Sequence, residues 1–291
     1  IQTCDVSAAR EQSSLRARFD PVSFSLRALV WLAALTVVVV FMWLVGYIVI
    51  KGLPYLSPRL FEWEYSTENV SMLPAIVITV LMVVLALLFA APVGMGAAIY
   101  LVEYARKGSR LVSLVRLTTE SLAGIPSIVY GLFGFLLFVV ACGMGFSILG
   151  GALTLAVMVL PLIMRTTEEA LKSVPDSWRE GSFALGAGRL RTIFRVVLPA
   201  AVPGILSGVI LSIGRIVGES AALLYTAGTV AAMPESLLSS GRTLSVHMYA
   251  LLSEGLYVNE AHATALVLLI VVLLINFASS AVAALLVRER S

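Results

Sequence analysis

The sequence predicts an all-α integral membrane protein with six transmembrane helices. Hydrophobic residues make up 59% of the 291 residues and charged residues 13%, whereas a soluble globular chain has about 45–50% apolar and about 25% charged residues. Six apolar runs each reach the length of about 20 residues that a membrane-spanning helix needs. The Lys and Arg residues between these runs collect on one side of the predicted membrane. These observations exclude a soluble protein.

The predicted spans follow a polar N-terminal segment, residues 1–24, which we expect to be a mobile cytoplasmic tail. The first apolar run is too long for the core of a signal peptide, and no small-x-small cleavage site follows it, so we interpret it as a retained span. Pro92 lies inside the second run and should kink its helix, because proline removes a backbone donor. The predicted spans are 26–50, 72–102, 122–141, 146–164, 200–224 and 263–287.

The positions of the positive charges predict which side of the membrane each connection faces. Sixteen of the 20 Lys and Arg residues lie in the tail, in alternate connections and at the C-terminal end, and three lie in the remaining connections with six acidic residues. Cytoplasmic segments carry the excess of Lys and Arg, so we expect both termini in the cytoplasm. The one remaining cation, Arg215, lies inside the fifth predicted span.

The long connection after the fourth span contains a predicted pair of short helices. Ser173-Val-Pro-Asp176 has the pattern of a capping box and predicts a helix over 174–185. Gly186 and Gly188 can end that helix, because glycine accepts the left-handed conformation of a helix C-terminus. A second helix is expected over 189–198. This arrangement favours a rigid projection that docks into another protein; the alternative is a basic loop that only sets the orientation.

The same connection resembles the "EAA" loop of bacterial ABC importer permeases. The resemblance is carried by Glu180-Gly181-Ser182, by Gly186 six residues after the glutamate, and by Leu198-Pro199 at the end. Gly181 and Ser182 replace the alanines of the family pattern. The resemblance implies that this segment is a coupling helix that inserts into a groove on an ATPase subunit.

The chain is not expected to hydrolyse ATP itself. A P-loop needs a lysine directly after a glycine so that backbone amides and the lysine together hold the phosphates, and none of the three lysines follows a glycine. We therefore expect no cofactor in this chain and place ATP and Mg²⁺ on a partner ATPase.

The sequence predicts neither a disulfide framework nor a metal site. It contains only two cysteines, Cys4 and Cys142, and two histidines, His247 and His262.

Two charged residues in the fifth predicted span point to a polar pathway. A charge at the bilayer centre costs at least about 2.5–3.5 kcal/mol, and such residues are typical of transport pathways. Arg215 and Glu219 are four residues apart, which predicts a shared helix face and an ion pair. The arginine can bind the oxygens of an oxyanion. The glutamate can orient the arginine or accept a hydrogen bond from a protonated anion such as hydrogen phosphate. The alternative is a purely structural pair.

Three further segments resemble the permeases of phosphate-specific ABC importers, and more closely those of the PstA type than those of the PstC type. They are GRIVGESAALLYTAG at 214–228, LAGIPSIVYGLFG at 122–134 and TLSVHMYALLSEG at 243–255. The resemblance implies a type I ABC importer permease core, MetI-like, over 72–288, preceded by a first helix and outer loop at 25–71. It also implies that Arg215 and Glu219 correspond to the family's intramembrane pair and Arg165 to a second pathway arginine. Arg165 has an equal alternative as an orientation-setting anchor.

The resemblance also implies the inner membrane of a bacterium as the location of the chain, and a set of partners. These are a PstC-type permease that forms a heterodimer with this chain, two PstB-type ATPase subunits and a PstS-type phosphate-binding protein. The predicted outer helix at 246–256 would meet the binding protein. Two alternatives stay open, namely a permease for another oxyanion such as sulfate or molybdate and an ion-driven secondary transporter.

Overall fold

The computed structural model describes residues 21–106 and 108–288, and the regular structure within these ranges is all helical. Residues 1–20 of the predicted tail, Lys107 and residues 289–291 lie outside the described residues. The chain divides into two compact units, residues 1–50 and 51–291. The described part of the first unit belongs to helix α1 (Pro21–Gly52), so residues 21–24 of the predicted tail are helical. Its apolar side chains, such as Trp31 and Phe41, are exposed, as expected of a helix in lipid.

The second unit alternates long apolar helices with short connecting ones. After two 3-10 turns, Leu53–Tyr55 and Pro58–Phe61, its helices are α2 (Leu73–Ile99), α3 (Arg110–Ala123), α4 (Ser127–Gly134), α5 (Ile148–Ser173), α6 (Asp176–Ala184), α7 (Arg189–Thr192), α8 (Leu198–Val217), α9 (Ala221–Thr226), α10 (Leu244–Glu254) and α11 (Val258–Arg288). Wider π-helical turns extend α2 over Tyr100–Tyr104 and α4 over Phe135–Ala141, and a third, Ile193–Val197, joins α7 to α8.

Helices α2, α5 and α8 form the centre of the second unit. Their facing side chains, including Met82, Leu155 and Ile213, belong to one buried apolar cluster. Because lipid is as apolar as these side chains, close packing rather than water exclusion holds such helices together. Gly208 of α8 makes this possible, since a Cβ atom at this position would overlap the side chain of Thr166 on α5.

The prediction of six spans is confirmed, with one of them broken. Five described helices are long and apolar enough to cross a membrane, and the pair α3–α4 gives a sixth if the two helices count as one span. This pair bends by 105°, so the third predicted span, 122–141, starts in the last turn of α3 and contains a break. Pro126 causes the break because it has no N–H to continue the α3 ladder. The hydroxyl of Tyr130 donates to the Leu122 carbonyl at 2.7 Å, across the break.

The fourth and fifth predicted spans also end at other residues than expected. Helix α5 continues to Ser173, whose hydroxyl donates back to the Ala170 carbonyl at 2.8 Å. Ser173 is therefore the last residue of α5 and not the N-cap of the next helix; the N-cap of α6 is Pro175, which has no side-chain cap. The predicted fifth span over 200–224 is interrupted, because α8 ends at Val217 and α9 begins at Ala221.

Candidate functional site: intramembrane charges and the inner loop

Arg215 lies in the last turn of α8 with its side chain exposed on the surface of the chain. It is close enough to Tyr130 of α4 for the two side chains to interact electrostatically. Among the described residues, no carboxylate lies within ion-pair distance of Arg215. Within the described residues, the positive charge of Arg215 therefore faces outward from the helix bundle without a carboxylate partner.

Glu219 lies in the break between α8 and α9. Its carboxylate Oε1 accepts a hydrogen bond from the backbone amide of Ala222 at 3.1 Å, and its carbonyl accepts one from the hydroxyl of Ser245 on α10 at 2.6 Å. A carboxylate at the first amides of a helix is favourable because these amides have no partner within the helix. Glu219 is thereby fixed between α9 and α10.

The predicted ion pair between Arg215 and Glu219 is wrong for this structure. The prediction assumed a continuous helix, in which the two side chains share a face. The helix instead ends at Gly218, whose amide bonds back to the Gly214 carbonyl at 3.3 Å, and the α9 amides take the carboxylate. The roles of both residues in transport stay predictions.

Arg165 lies on the exposed side of α5, in its C-terminal half. Its Nε donates to Glu169 one turn later at 3.0 Å, and both side chains are 63% exposed. Such an exposed pair contributes little to stability. Arg165 also lines a cleft with charged neighbours from α3 and α5, which are Arg116, Glu120, Glu168, Glu169 and Lys172.

Glu168 holds the charged residues of that cleft together. It is 7% exposed, and its Oε1 lies 2.6 Å from both Arg116 Nη2 on α3 and Lys172 Nζ on α5. This double pairing fixes α3 against α5. No local sequence pattern marks the contact, because Arg116 and Glu168 lie on separate helices that are far apart in the sequence.

The predicted coupling helix is α6, and it presents its apolar residues outward. Trp178 and Phe183 are about half exposed, and Leu185 is 91% exposed. Gly186 follows with a φ of +82°, a left-handed conformation that glycine adopts without strain. Exposed aromatic side chains on a polar loop are typical of a docking surface. Glu180 and Gly181 share the exposed surface.

The remaining residues of the loop pattern connect α6 to the membrane. The hydroxyl groups of Ser182 and Thr192 lie 2.8 Å apart and join α6 to α7. Leu198 and Pro199 lie at the start of α8, directly after the π-helical turn Ile193–Val197. The predicted second loop helix is therefore continuous with the fifth span.

Sequence reasoning missed Arg179, the most highly connected side chain of the loop. It lies on α6, is 13% exposed, and donates through Nε and Nη2 to Glu103 Oε1 at 3.1 and 2.8 Å. Glu103 belongs to the π-helical extension of α2. No local pattern marks this pair, because its members are 76 residues apart.

Sequence reasoning also missed a buried group on α10. His247 on α10 is fully buried, although no role or burial was expected for it. Burial and, to a smaller extent, the nearby positive charge of Arg242 together lower the pKa of His247 to about 3. The Arg242 guanidinium is 4.8 Å from the centre of the Tyr65 ring, a cation–π contact that joins the outer loop to the start of α10. The outer helix itself is Leu244–Glu254, close to the predicted 246–256.

Comparison with known proteins places this arrangement among transport proteins. Residues 90–291 match the family "Binding-protein-dependent transport system inner membrane component". The chain is 34% identical over 272 residues to "Probable ABC transporter permease protein YqgI" of Bacillus subtilis (strain 168), an alignment that covers 85% of this chain and 90% of that protein. It is 40% identical over 196 residues to "Phosphate transport system permease protein PstA" of Mycobacterium leprae (strain TN), covering 64% of this chain and 62% of that protein.

Solved structures show the same fold at lower identity. A bacterial alginate ABC transporter, in complex with an alginate pentasaccharide-bound periplasmic protein, matches with a TM-score of 0.67 and 18% identity, over 89% of this chain and 93% of that chain. An inward-facing MetNI methionine ABC transporter matches with a TM-score of 0.57 and 21% identity, over 74% of this chain and 94% of that chain. The predicted ABC importer permease fold is confirmed.

Proposed function

The chain belongs to the binding-protein-dependent transport system inner membrane component family, and from this we propose that it is the permease subunit of an ATP-driven phosphate importer. A permease subunit of this family is a multi-pass inner-membrane protein and is not itself an enzyme. Phosphate is favoured as the substrate because PstA permeases of several bacteria align with the chain at 38–45% identity.

The observation that carries the proposal is the exposed position of Arg215. A cation at membrane depth is stable only when it faces a polar pathway or an opposite charge, and the described part of the chain provides no carboxylate within ion-pair distance. A phosphate oxyanion supplies that charge, and the planar guanidinium matches its oxygens. Arg215 would attract the anion into the half of the pathway that this chain forms.

Glu219 would act beside Arg215 in two ways. Its carboxylate accepts the Ala222 amide and so stabilises the helix break after α8. This break keeps Arg215 in the last turn of α8. A carboxylate accepts several hydrogen bonds, and its remaining capacity would favour an anion that still carries a proton. This would distinguish hydrogen phosphate from sulfate. Arg165 would receive the anion near the cytoplasmic end of α5.

The chain would work within a larger assembly. A PstC-type permease would complete the pathway opposite Arg215, and a PstS-type protein would deliver phosphate at the outer side, near α10. Two PstB-type ATPase subunits would bind ATP and Mg²⁺, and one of them would receive α6 through Trp178, Phe183 and Leu185. Both termini would lie in the cytoplasm, which agrees with the charge distribution between the spans.

The proposal is tested by uptake into proteoliposomes that contain the complete assembly with ATP inside. We expect uptake of ³²P-phosphate that requires ATP and the binding protein and that excess sulfate or molybdate does not inhibit. Uptake of sulfate or molybdate in place of phosphate would show that the substrate belongs to another class of oxyanion. Uptake that continues without ATP but follows an imposed ion gradient would identify an ion-driven transporter instead.

A further inference from the structure

Arg179 differs from the residues beside it on the coupling helix. Trp178 and Glu180 are exposed, as expected for a surface that meets another subunit. The Arg179 side chain instead turns back toward the membrane domain and is 13% exposed. Its partner Glu103 is 9% exposed. A carboxylate this deeply buried stays charged only when it is paired, so the two residues depend on each other.

The guanidinium of Arg179 joins three structural elements. Nε and Nη2 both donate to Glu103 at the end of α2. Nη2 also donates to the Leu171 carbonyl at 2.9 Å, and Nη1 to the Val174 carbonyl at 2.8 Å. These carbonyls lie in the last turn and at the C-cap of α5, where they have no helical partner and where a positive charge is favourable. Arg179 therefore connects α6 to the inner ends of both α2 and α5.

A second contact holds the loop to the same end of α2. The guanidinium of Arg189, the first residue of α7, lies 5.6 Å from the centre of the Tyr104 ring. Tyr104 is the residue after Glu103 in the π-helical extension of α2. The chain itself connects α6 only to α5 and, through α7, to α8. Side chains alone connect the loop to α2.

We propose that Glu103 and Arg179 form a joint that transmits the displacement of the coupling helix α6 to α2. Charge-assisted hydrogen bonds from a planar guanidinium have a fixed geometry, so they carry motion better than an apolar contact that can slide. Helix α2 packs along α5 and α8 through the buried cluster that contains Met82 and Leu155. Movement at the inner end of α2 therefore reaches the core of the membrane domain. The proposal rests on the proposed function, because it assumes that an ATPase subunit moves α6.

The joint is tested by the ratio of phosphate imported to ATP hydrolysed in the reconstituted assembly. Arg179→Ala and Glu103→Gln each remove the pair, whereas Arg179→Lys keeps a positive charge that can still donate to Glu103. Asp176→Asn is the matched control, since Asp176 contacts the same guanidinium at 3.2 Å from an 81% exposed position. Co-purification of the subunits and the melting temperature are measured for every variant.

We expect Arg179→Ala and Glu103→Gln to leave the assembly intact and its ATPase active, while the ratio of import to hydrolysis falls about 2- to 30-fold, a typical range for a lost coupling contact. Arg179→Lys should keep a higher ratio than Arg179→Ala, and Asp176→Asn should leave the ratio unchanged. A purely structural contact would lower import, hydrolysis and the melting temperature together at a constant ratio. That result, or failure of both variants that remove the pair to assemble, would overturn the proposal.

The wild-type assembly separates a failure of this inference from a failure of the proposed function. If the wild type hydrolyses ATP but imports another anion, the substrate assignment fails, and the ratio is measured with that anion. If the wild type imports phosphate and Arg179→Ala does so with the same ratio, only the joint fails.

Discussion

The Glu219 carboxylate accepts a hydrogen bond at 3.1 Å from the amide of Ala222, the second residue of the helix that follows the break after α8. This contact gives Glu219 a structural task beside its proposed part in anion recognition. The two tasks need different chemistry. The helix contact needs only an acceptor oxygen, whereas selection of a protonated anion needs the charge and the free lone pairs of a carboxylate.

We predict that Glu219→Gln and Glu219→Ala separate these tasks. The glutamine keeps an acceptor, so the melting temperature of the purified assembly should stay near that of the wild type, while phosphate uptake falls. The alanine leaves the first amides of α9 unpartnered and should also lower stability, by about 1 kcal/mol as for other lost helix caps. Differential scanning fluorimetry and uptake are measured on the same preparations. Equal uptake by Glu219→Gln and wild type would restrict Glu219 to the structural task.

The close approach of α5 and α8 at Gly208 gives a second prediction. A Cβ atom at Gly208 would overlap Thr166, so Gly208→Ala should cost about 1–3 kcal/mol, the range for an overpacked contact. The double variant Gly208→Ala/Thr166→Ala removes the obstructing side chain and should recover part of the loss. Gly96→Ala on α2 is the control, because a Cβ atom there meets no neighbouring atom within 4 Å. An unchanged melting temperature for Gly208→Ala would show that the helices separate easily at this position.

The buried His247 predicts a pH dependence of stability with a definite sign. Its pKa is about 3 in the folded chain and about 6.5 in an unfolded chain. Below pH 6.5 the unfolded state therefore binds a proton that the folded state does not. Above pH 6.5 His247 is neutral in both states and causes no pH dependence of the free energy of unfolding. As the pH falls from 6.5 toward 3, the free energy of unfolding decreases by about 1.4 kcal/mol per pH unit.

This dependence is checked by melting curves of wild type and His247→Leu between pH 7.5 and about pH 5, a window set by the unfolded-state pKa of histidine. The wild type should lose stability relative to His247→Leu as the pH falls through 6.5. The difference between the two should be constant above pH 7. Parallel curves over the whole range would show that His247 is accessible to protons in the folded assembly.

Hydropathy predicted most of the fold but not its interruptions. A run of apolar residues reports how long a segment can lie in lipid, and the runs at 26–50 and 72–102 match α1 and the extended α2 closely. It does not report whether the helix is continuous. Gly218 and Pro126 were visible in the sequence, yet both lie inside apolar stretches, where helix breaks are tolerated only because other groups satisfy the freed backbone. Those groups, Tyr130 and Ser245, come from distant segments or later turns.

For the candidate site, too, local features were predictable from the sequence, whereas tertiary contacts were not. The intramembrane position of Arg215 and the loop pattern around Glu180 follow from the sequence, because charge in an apolar run and motif spacing are local signals. The contacts of Glu103 with Arg179 and of Tyr65 with Arg242 depend on tertiary packing. Ser173 illustrates the converse case. Its local capping pattern was present, but the extension of α5 left its hydroxyl bonded to Ala170 instead.

The most direct test of the account is phosphate uptake by the reconstituted assembly carrying Arg215→Gln. Glutamine keeps much of the length and polarity of the side chain and removes the charge. Arg59→Gln, which removes an exposed arginine of the outer loop, is the control. We predict that Arg215→Gln lowers ATP-dependent uptake about tenfold or more, because a charged hydrogen-bond donor to the anion is lost, while subunit co-purification and the Arg59→Gln assembly are unaffected. Wild-type uptake by an intact Arg215→Gln assembly would contradict the assignment of Arg215 to the anion pathway.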